Sequence, residues 1–277
     1  MQLHGHDIAI CSWSLKPANM AELVAKVKEL GLSHVQLALT GLVMLDDKRK
    51  HQELGHLRES GIGLTGGMLN FAGEDYSSID SIRRTGGYVP DDTWPVRQKI
   101  SEHGAKLARE LGMKTVMTHI GFVPPASNPN YKAILERIRQ IAATFAEHGL
   151  ALLMETGQEP AAELLHFLND LGTSNVHINF DPANMIMYGA GNPIEAVKLL
   201  SKHIRHVHIK DGTTAARPGV EWGKEVPFGS GEVNAPLFLQ TLKQIGYTGP
   251  LAIEREAGNL RMDDVRTAIQ TIKNAKV

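Results

Sequence analysis

Short apolar runs alternate with longer amphipathic segments from one end of this chain to the other. Asp7–Trp13 (DIAICSW) reads as a strand, and Met20–Leu30 follows with Ala, Leu and Val at helical spacing until Gly31 stops it. The same alternation repeats. Strands are expected at His34–Leu39, Ile62–Leu69, Lys114–His119, Leu150–Glu155, Val176–Phe180, Ile204–Ile209 and Leu251–Glu254. Helices are expected to end near Gly61 and to span Trp94–Leu111, Asn130–His148, Ala161–Leu171, Ile194–Leu200, Leu237–Ile245 and Met262–Ala275. The third strand is the weakest because of its glycines. The stretches 70–93 and 211–234 read as irregular, with a short helix near Ser78–Arg84 in the first. Both follow predicted strands, and loops that long often carry function.

Strands that alternate with helices and lack a linker predict a parallel sheet. Closure into one (β/α)8 TIM barrel spanning residues 1–277 is the economical α/β solution, with an open doubly wound sheet as the rival. No G-x-G-x-x-G follows the first strand, which weakens the dinucleotide-binding form of that rival. The 277 residues suit one barrel, and 42% hydrophobic residues supply its core. Net charge is -1, so nothing advertises a nucleic-acid partner. Cys11 is the sole cysteine, which excludes an intrachain disulfide and a Cys-rich zinc site. No apolar run approaches membrane-spanning length, and the N-terminus lacks the pattern of a secretory leader. A cytoplasmic protein without a membrane partner is the expectation.

Where the polar residues fall is more informative. In a parallel barrel the site is built at or just beyond the C-terminal ends of strands. The fifth predicted strand ends LLMETGQE, bringing Glu155 to that end. The sixth ends HINFDPAN with Asp181, the seventh alternates His206 and His208 in RHVHIKDG, and the eighth ends LAIEREAG with Glu254. Any one of these has a bland explanation. Asp181-Pro182, for instance, suits a helix cap. Together, three converging carboxylates would repel one another and force protonation unless a cation lay between them. Three oxygens and one imidazole suit one divalent ion, Mn²⁺, Mg²⁺ or Co²⁺, with Zn²⁺ also compatible. Glu256 is the alternative to Glu254 because both share one face of the strand end.

Second-rank candidates surround these four. His119 ends the fourth strand and is a candidate substrate or metal contact, with a loop-bonded structural histidine as the alternative. His206 points to the same side as His208 and sits deeper, where it would orient the site from beneath. Glu159, beside Gln158, is a candidate for sugar hydroxyls, against a helix-start acid. Lys210 and Asp211 read as structural ion-pair formers. Trp13, Trp222 and Phe228 could form a stacking wall, with Trp13 better placed in the core. The glycines of PFGSGEVN predict a turn over the mouth.

At METGQE, NFDPANM, HVHIKDG, PFGSGEVN and IEREAG the chain resembles the xylose-isomerase-like TIM barrels, the sugar phosphate isomerase/epimerase superfamily. In its ketose 3-epimerases a Glu, an Asp, a His and a Glu hold one Mn²⁺-type ion, and those positions match Glu155, Asp181, His208 and Glu254. The resemblance makes Glu155 and Glu254 the acid/base pair of an isomerase or epimerase. Such an enzyme works through an enediolate on a small ketose or keto-polyol. A metal-dependent lyase or dehydratase on a keto-inositol or keto-glycoside is the alternative. Where those epimerases carry a substrate-contacting histidine, this chain has Asn184, and an arginine in the loop after the seventh strand is matched loosely by Arg217. Apurinic-site endonucleases of similar fold hold three metals with many more histidines than are found here. A homo-oligomer is also common in the resembled group.

Overall fold

The structure is a computed structural model describing all residues, 1–277. Eight parallel strands close into a barrel: β1 (His6–Cys11), β2 (His34–Ala38), β3 (Gly63–Leu69), β4 (Thr115–Thr118), β5 (Ala151–Glu155), β6 (Val176–Phe180), β7 (Ile204–Ile209) and β8 (Leu251–Ile253). Closure is made where β1 pairs with both β2 and β8, in register Ala9↔His34 and Ile8↔Leu251. A two-residue strand, Gln2–Leu3, folds antiparallel onto the start of β1 at the opposite end from the mouth.

Outer and inner faces of the sheet differ in kind, as the period-2 geometry of strands requires. Outward residues such as Ile8, Ile10, Val35, Leu37, Val116, Leu152, Ile178, Phe180 and Val207 join one core of 61 buried residues shared with the surrounding helices. The helix Met20–Glu29 shows how they dock. Asn19 caps it through Glu22 N, and Met20, Leu23 and Val27 form its buried stripe. Inward residues form only small apolar clusters, Ala9/Cys11/Ala252 and Met68/Met117/Leu153. The remaining inward space is polar, occupied by Gln36, Asn179, His206 and His208, each at most 1% exposed.

The β3 glycines that weakened the sequence pattern have a packing reason. A Cβ on Gly66 would lie 2.5 Å from Met117 Cε, and one on Gly67 would lie 2.4 Å from Leu39 Cδ1. Larger residues would push neighbouring side chains out of the barrel wall.

Several boundaries depart from the sequence expectation. β1 ends at Cys11, and Ser12–Leu15 forms a 3-10 turn that carries Trp13 over the mouth. A helix, Pro182–Tyr188, starts directly after β6 with Asp181 as its cap, where the sequence marks only the Asp181-Pro182 start. The stretch 211–234 is not wholly irregular: Asp211–Thr213 and Lys224–Val226 pair as a hairpin. The short helix in the other long loop is present at Ile79–Thr85. No helix is long and apolar enough to cross a membrane.

Candidate metal centre and active site

The ends of β5 to β8 converge on one imidazole nitrogen. His208 Nδ1 lies 3.2 Å from Glu155 Oε1, 3.2 Å from Glu254 Oε2 and 3.5 Å from Asp181 Oδ2. One ligand atom from each of the four residues falls within a mutual 4.8 Å. All four are buried. Asp181 is fixed locally: its Oδ1 caps Asn184 N at 2.9 Å, and its backbone N–H donates to Thr156 Oγ1 at 2.8 Å. The helix-cap reading of Asp181-Pro182 and the cluster reading are therefore both true, one oxygen serving each.

Glu155 Oε2, Asp181 Oδ2 and His208 Nδ1 are buried without a hydrogen-bond partner. Leaving such atoms unpaired costs on the order of 1–3 kcal/mol each, more where they are charged. Asp181 Oδ2 and His208 Nδ1 face each other at 3.5 Å and Glu155 holds a second free oxygen beside them, a demand that a cation would satisfy, so the residues fit a divalent ion held by Glu155, Asp181, His208 and Glu254.

Charge around the cluster is uneven. Lys210, just beyond β7, is 3% exposed, and its Nζ lies 2.8 Å from Glu254 Oε2, 3.0 Å from Glu256 Oε2 and 3.7 Å from Asp181 Oδ2. Burial alone would raise the Glu254 carboxyl, but Lys210 and then His208 outweigh it and hold it well below the usual range. Glu155 is also lowered: burial opposes, and His119 followed by His208 prevails. Asp181 is raised because burial exceeds the pull of Lys210. The two glutamates also have separate supports. Trp13 Nε1 donates to Glu254 Oε1 at 2.8 Å, Asn184 Nδ2 donates to Glu155 Oε1 at 3.2 Å, and His119 Nε2 stands 3.5 Å from Glu155 Oε2.

Beneath the cluster, His208 Nε2 meets Gln36 Oε1 at 2.7 Å. That shorter contact favours the proton on Nε2, against the Asn179 amide group 3.1 Å from the same nitrogen, and leaves Nδ1 free to ligate. Asn179 sits between the two histidines, 3.1 Å from His208 Nε2 and 2.9 Å from His206 Nδ1. Cys11 Sγ is 3.7 Å from His208 Nε2 and within 4.8 Å of a Glu254 oxygen, and burial pushes its thiol up to about 12. A neutral thiol there is a packing group rather than a metal ligand.

The structure places the remaining candidates as follows. His119 and Asn184 are brought to Glu155, and His206 lies below His208 and is linked to it through Asn179. Glu159 is elsewhere: its Oε1 accepts from Val123 N at 2.7 Å, bracing two loops, and burial pushes its carboxyl up to about 8. Arg217 is not brought to the site. Its guanidinium is 68% exposed and pairs with Glu221, four residues on. Asp211 is no partner of Lys210. It accepts from the backbone N–H groups of Gly212, Gly229, Gly231 and Val233 and so shapes the PFGSGEVN turn. Trp222 packs on Tyr188 with centroids 4.6 Å apart, whereas Phe228 is core. Sequence reasoning did not find the Trp13 hydrogen bond, Gln36 or Asn179. A signal existed for Gln36, an amide in the inward register of the otherwise apolar run VQLAL.

A closed parallel barrel with a Glu/Asp/His/Glu set on its last four strands defines the class of protein. Residues 24–275 match the model of the xylose isomerase-like TIM barrel family, and the chain belongs to that family. A xylose isomerase domain protein from Planctomyces limnophilus superposes with a TM-score of 0.88 at 32% identity, covering 98% of this chain and 96% of that one. An uncharacterised protein of Methanocaldococcus jannaschii is 28% identical over 164 residues, 54% of this chain and 53% of the relative. The L-ribulose-5-phosphate 3-epimerase UlaE of Salmonella paratyphi A is 50% identical over 54 residues, 20% of this chain and 17% of the enzyme. The chain thus spans about half or less of the length of these curated relatives.

Proposed function

We propose that this chain is a divalent-metal-dependent sugar isomerase or epimerase, moving a proton at the carbon beside the carbonyl of a small ketose or keto-polyol. The observation that carries this reading is the pair Glu155 and Glu254. They stand on strands β5 and β8, each 3.2 Å from His208 Nδ1, with different polar neighbours. A bound divalent ion would polarise the substrate carbonyl and stabilise negative charge on its oxygen.

The chain's own residues supply the rest. Lys210 and Trp13 keep Glu254 ionised and oriented, as a base that accepts a carbon-bound proton must be. Glu155 is ionised in the resting site, with Oε2 free of hydrogen bonds 3.5 Å from His119 Nε2; it would return a proton to carbon after taking one up by way of His119, while Glu254 passes the proton it has accepted to solvent. Return to the same carbon from the opposite face inverts it, and return to the neighbouring carbon exchanges aldose and ketose. Asn184 holds Glu155 in place. The short match to a ribulose-phosphate epimerase supports the same chemistry.

The test is a panel of ketoses and keto-polyols incubated with the Mn²⁺-loaded protein in D₂O. Deuterium entering at a carbon alpha to the carbonyl is expected. No exchange across the panel, or loss of water in place of exchange, rejects the isomerase reading.

A further inference from the structure

We propose that Lys210 is a positioning residue that works by competing with the metal. It shares the carboxylate oxygens the ion would need, and thereby keeps the loaded site electrically neutral. The inference rests on the metal-dependent reading above and adds a residue that the ligand set does not include.

Lys210 Nζ contacts Glu254 Oε2 at 2.8 Å and approaches Asp181 Oδ2 at 3.7 Å. These same two oxygens face His208 Nδ1, at 3.2 and 3.5 Å. Lys210 therefore sits against the cation position from outside. It draws on lone-pair density that a metal would otherwise have to itself. Its third partner, Glu256 Oε2 at 3.0 Å, anchors the ammonium on the rim side. The side chain is 4% exposed and its ammonium already serves three carboxylates. It acts on chemistry through Glu254 and Asp181, without touching substrate.

The charge count gives the consequence. Within the buried cluster Glu155, Asp181 and Glu254 contribute three negative charges, a divalent ion and Lys210 contribute three positive ones, and His208 binds as a neutral ring; Glu256 is left out of the count because its side chain is 52% exposed and solvent screens it. The sum is zero. Without Lys210 the loaded site carries one net negative charge. At such separations a unit charge in a buried site weighs heavily. The more negative site would bind the ion more tightly. It would be a poorer host for the negative charge that develops on a substrate oxygen when a proton leaves carbon. The lysine thus lowers metal affinity and favours turnover.

The experiment measures Mn²⁺ affinity by isothermal titration calorimetry on chelator-stripped protein, and proton exchange on the reloaded protein, for wild type, Lys210→Met and Lys210→Arg. For Lys210→Met the expected result is a Kd for Mn²⁺ at least tenfold lower, together with a kcat at least tenfold lower. Lys210→Arg keeps the charge and is expected to restore both values to within a few-fold of wild type. A Lys210→Met protein that binds Mn²⁺ no more tightly than wild type, or that turns over at the wild-type rate, overturns the proposal. A merely structural lysine would loosen the site and weaken binding. If Lys210→Met does not fold, a Kd for Lys210→Gln that matches wild type overturns it equally. If the wild type binds no Mn²⁺ at all, the metal-dependent reading itself has failed, a result distinct from the others.

Discussion

The two halves of the barrel mouth are built from different chemistry. Strands β5 to β8 end in Glu155, Asp181, His208 and Glu254, while β1 to β4 end near Ser12, Leu39, Asn70 and His119. The second half concentrates three buried carboxylates within reach of one another. The first half contributes no carboxylate and instead supplies Trp13 to Glu254, Gln36 to His208 and His119 to Glu155. On the proposed reading this division separates the ligands of the ion from part of what orients them. Charge on one side creates the demand for a cation, and donors and acceptors on the other, none of them a carboxylate, fix the geometry without adding to the repulsion.

The largest effect that could break this comparison lies in the charged half. Glu254→Gln keeps the shape and the hydrogen bond from Trp13 but removes the base. We expect proton exchange in D₂O to fall by about 10³-fold, within the usual range for loss of a general base. Exchange at the wild-type rate would take Glu254 out of the mechanism. In the neutral half, Gln36→Leu removes the acceptor for His208 Nε2 while the volume stays similar. Mn²⁺ binding, followed by titration calorimetry, should weaken by roughly 10- to 100-fold, the usual cost of losing a partner that orients a metal-binding histidine. Equal affinity in the variant would mean that His208 needs no help from the first four strands.

Much of the charged half was legible in the sequence, and much of the neutral half was not. Glu155, Asp181, His208 and Glu254 each follow an apolar run at a strand end, and a buried charge there needs an explanation whatever the fold detail. The barrel itself was legible because helical and strand periodicities alternate cleanly. Of the helix Pro182–Tyr188 only the Asp181-Pro182 start was legible, because every residue in it is buried and no amphipathic stripe marks its body. Trp13 was assigned to the core because nothing local shows that β1 stops at Cys11 and turns. Arg217 and Glu159 were misplaced for another reason: residue type and loop position do not say which way a loop side chain faces. Only the hairpin pairing and the Val123 contact decide that.

Glu159 sharpens the comparison by showing a buried acid of the charged half that serves neither binding nor orientation of the cluster. Its folded carboxyl is pushed up to about 8 by burial. A raised acid favours the folded state while protonated. Its contribution is complete below the ordinary carboxyl range and is lost as pH rises toward about 8. Glu159→Gln retains an oxygen for Val123 N and cannot ionise. It should stabilise the protein at pH 8 by up to about 4 kcal/mol and leave stability at pH 4 nearly unchanged. Paired denaturant melts at the two pH values decide it; an equal difference at both would show that the carboxyl does not ionise in this range.

The smallest effect is expected at Arg217, which belongs to the charged half by position in the chain but not by geometry. Its ion pair with Glu221 is exposed on both sides, 68% and 44%, so solvent screens it and it contributes little to stability. Its guanidinium points away from the carboxylates that give this half its character. Arg217→Ala should therefore leave the proton-exchange rate and the Mn²⁺ affinity within about twofold of wild type, and stability within about 0.5 kcal/mol. A tenfold rise in KM with kcat unchanged would show instead that the 211–226 hairpin folds over the mouth when substrate binds. The division of labour would then extend to a third region, one that recognises substrate and neither holds the ion nor orients its ligands.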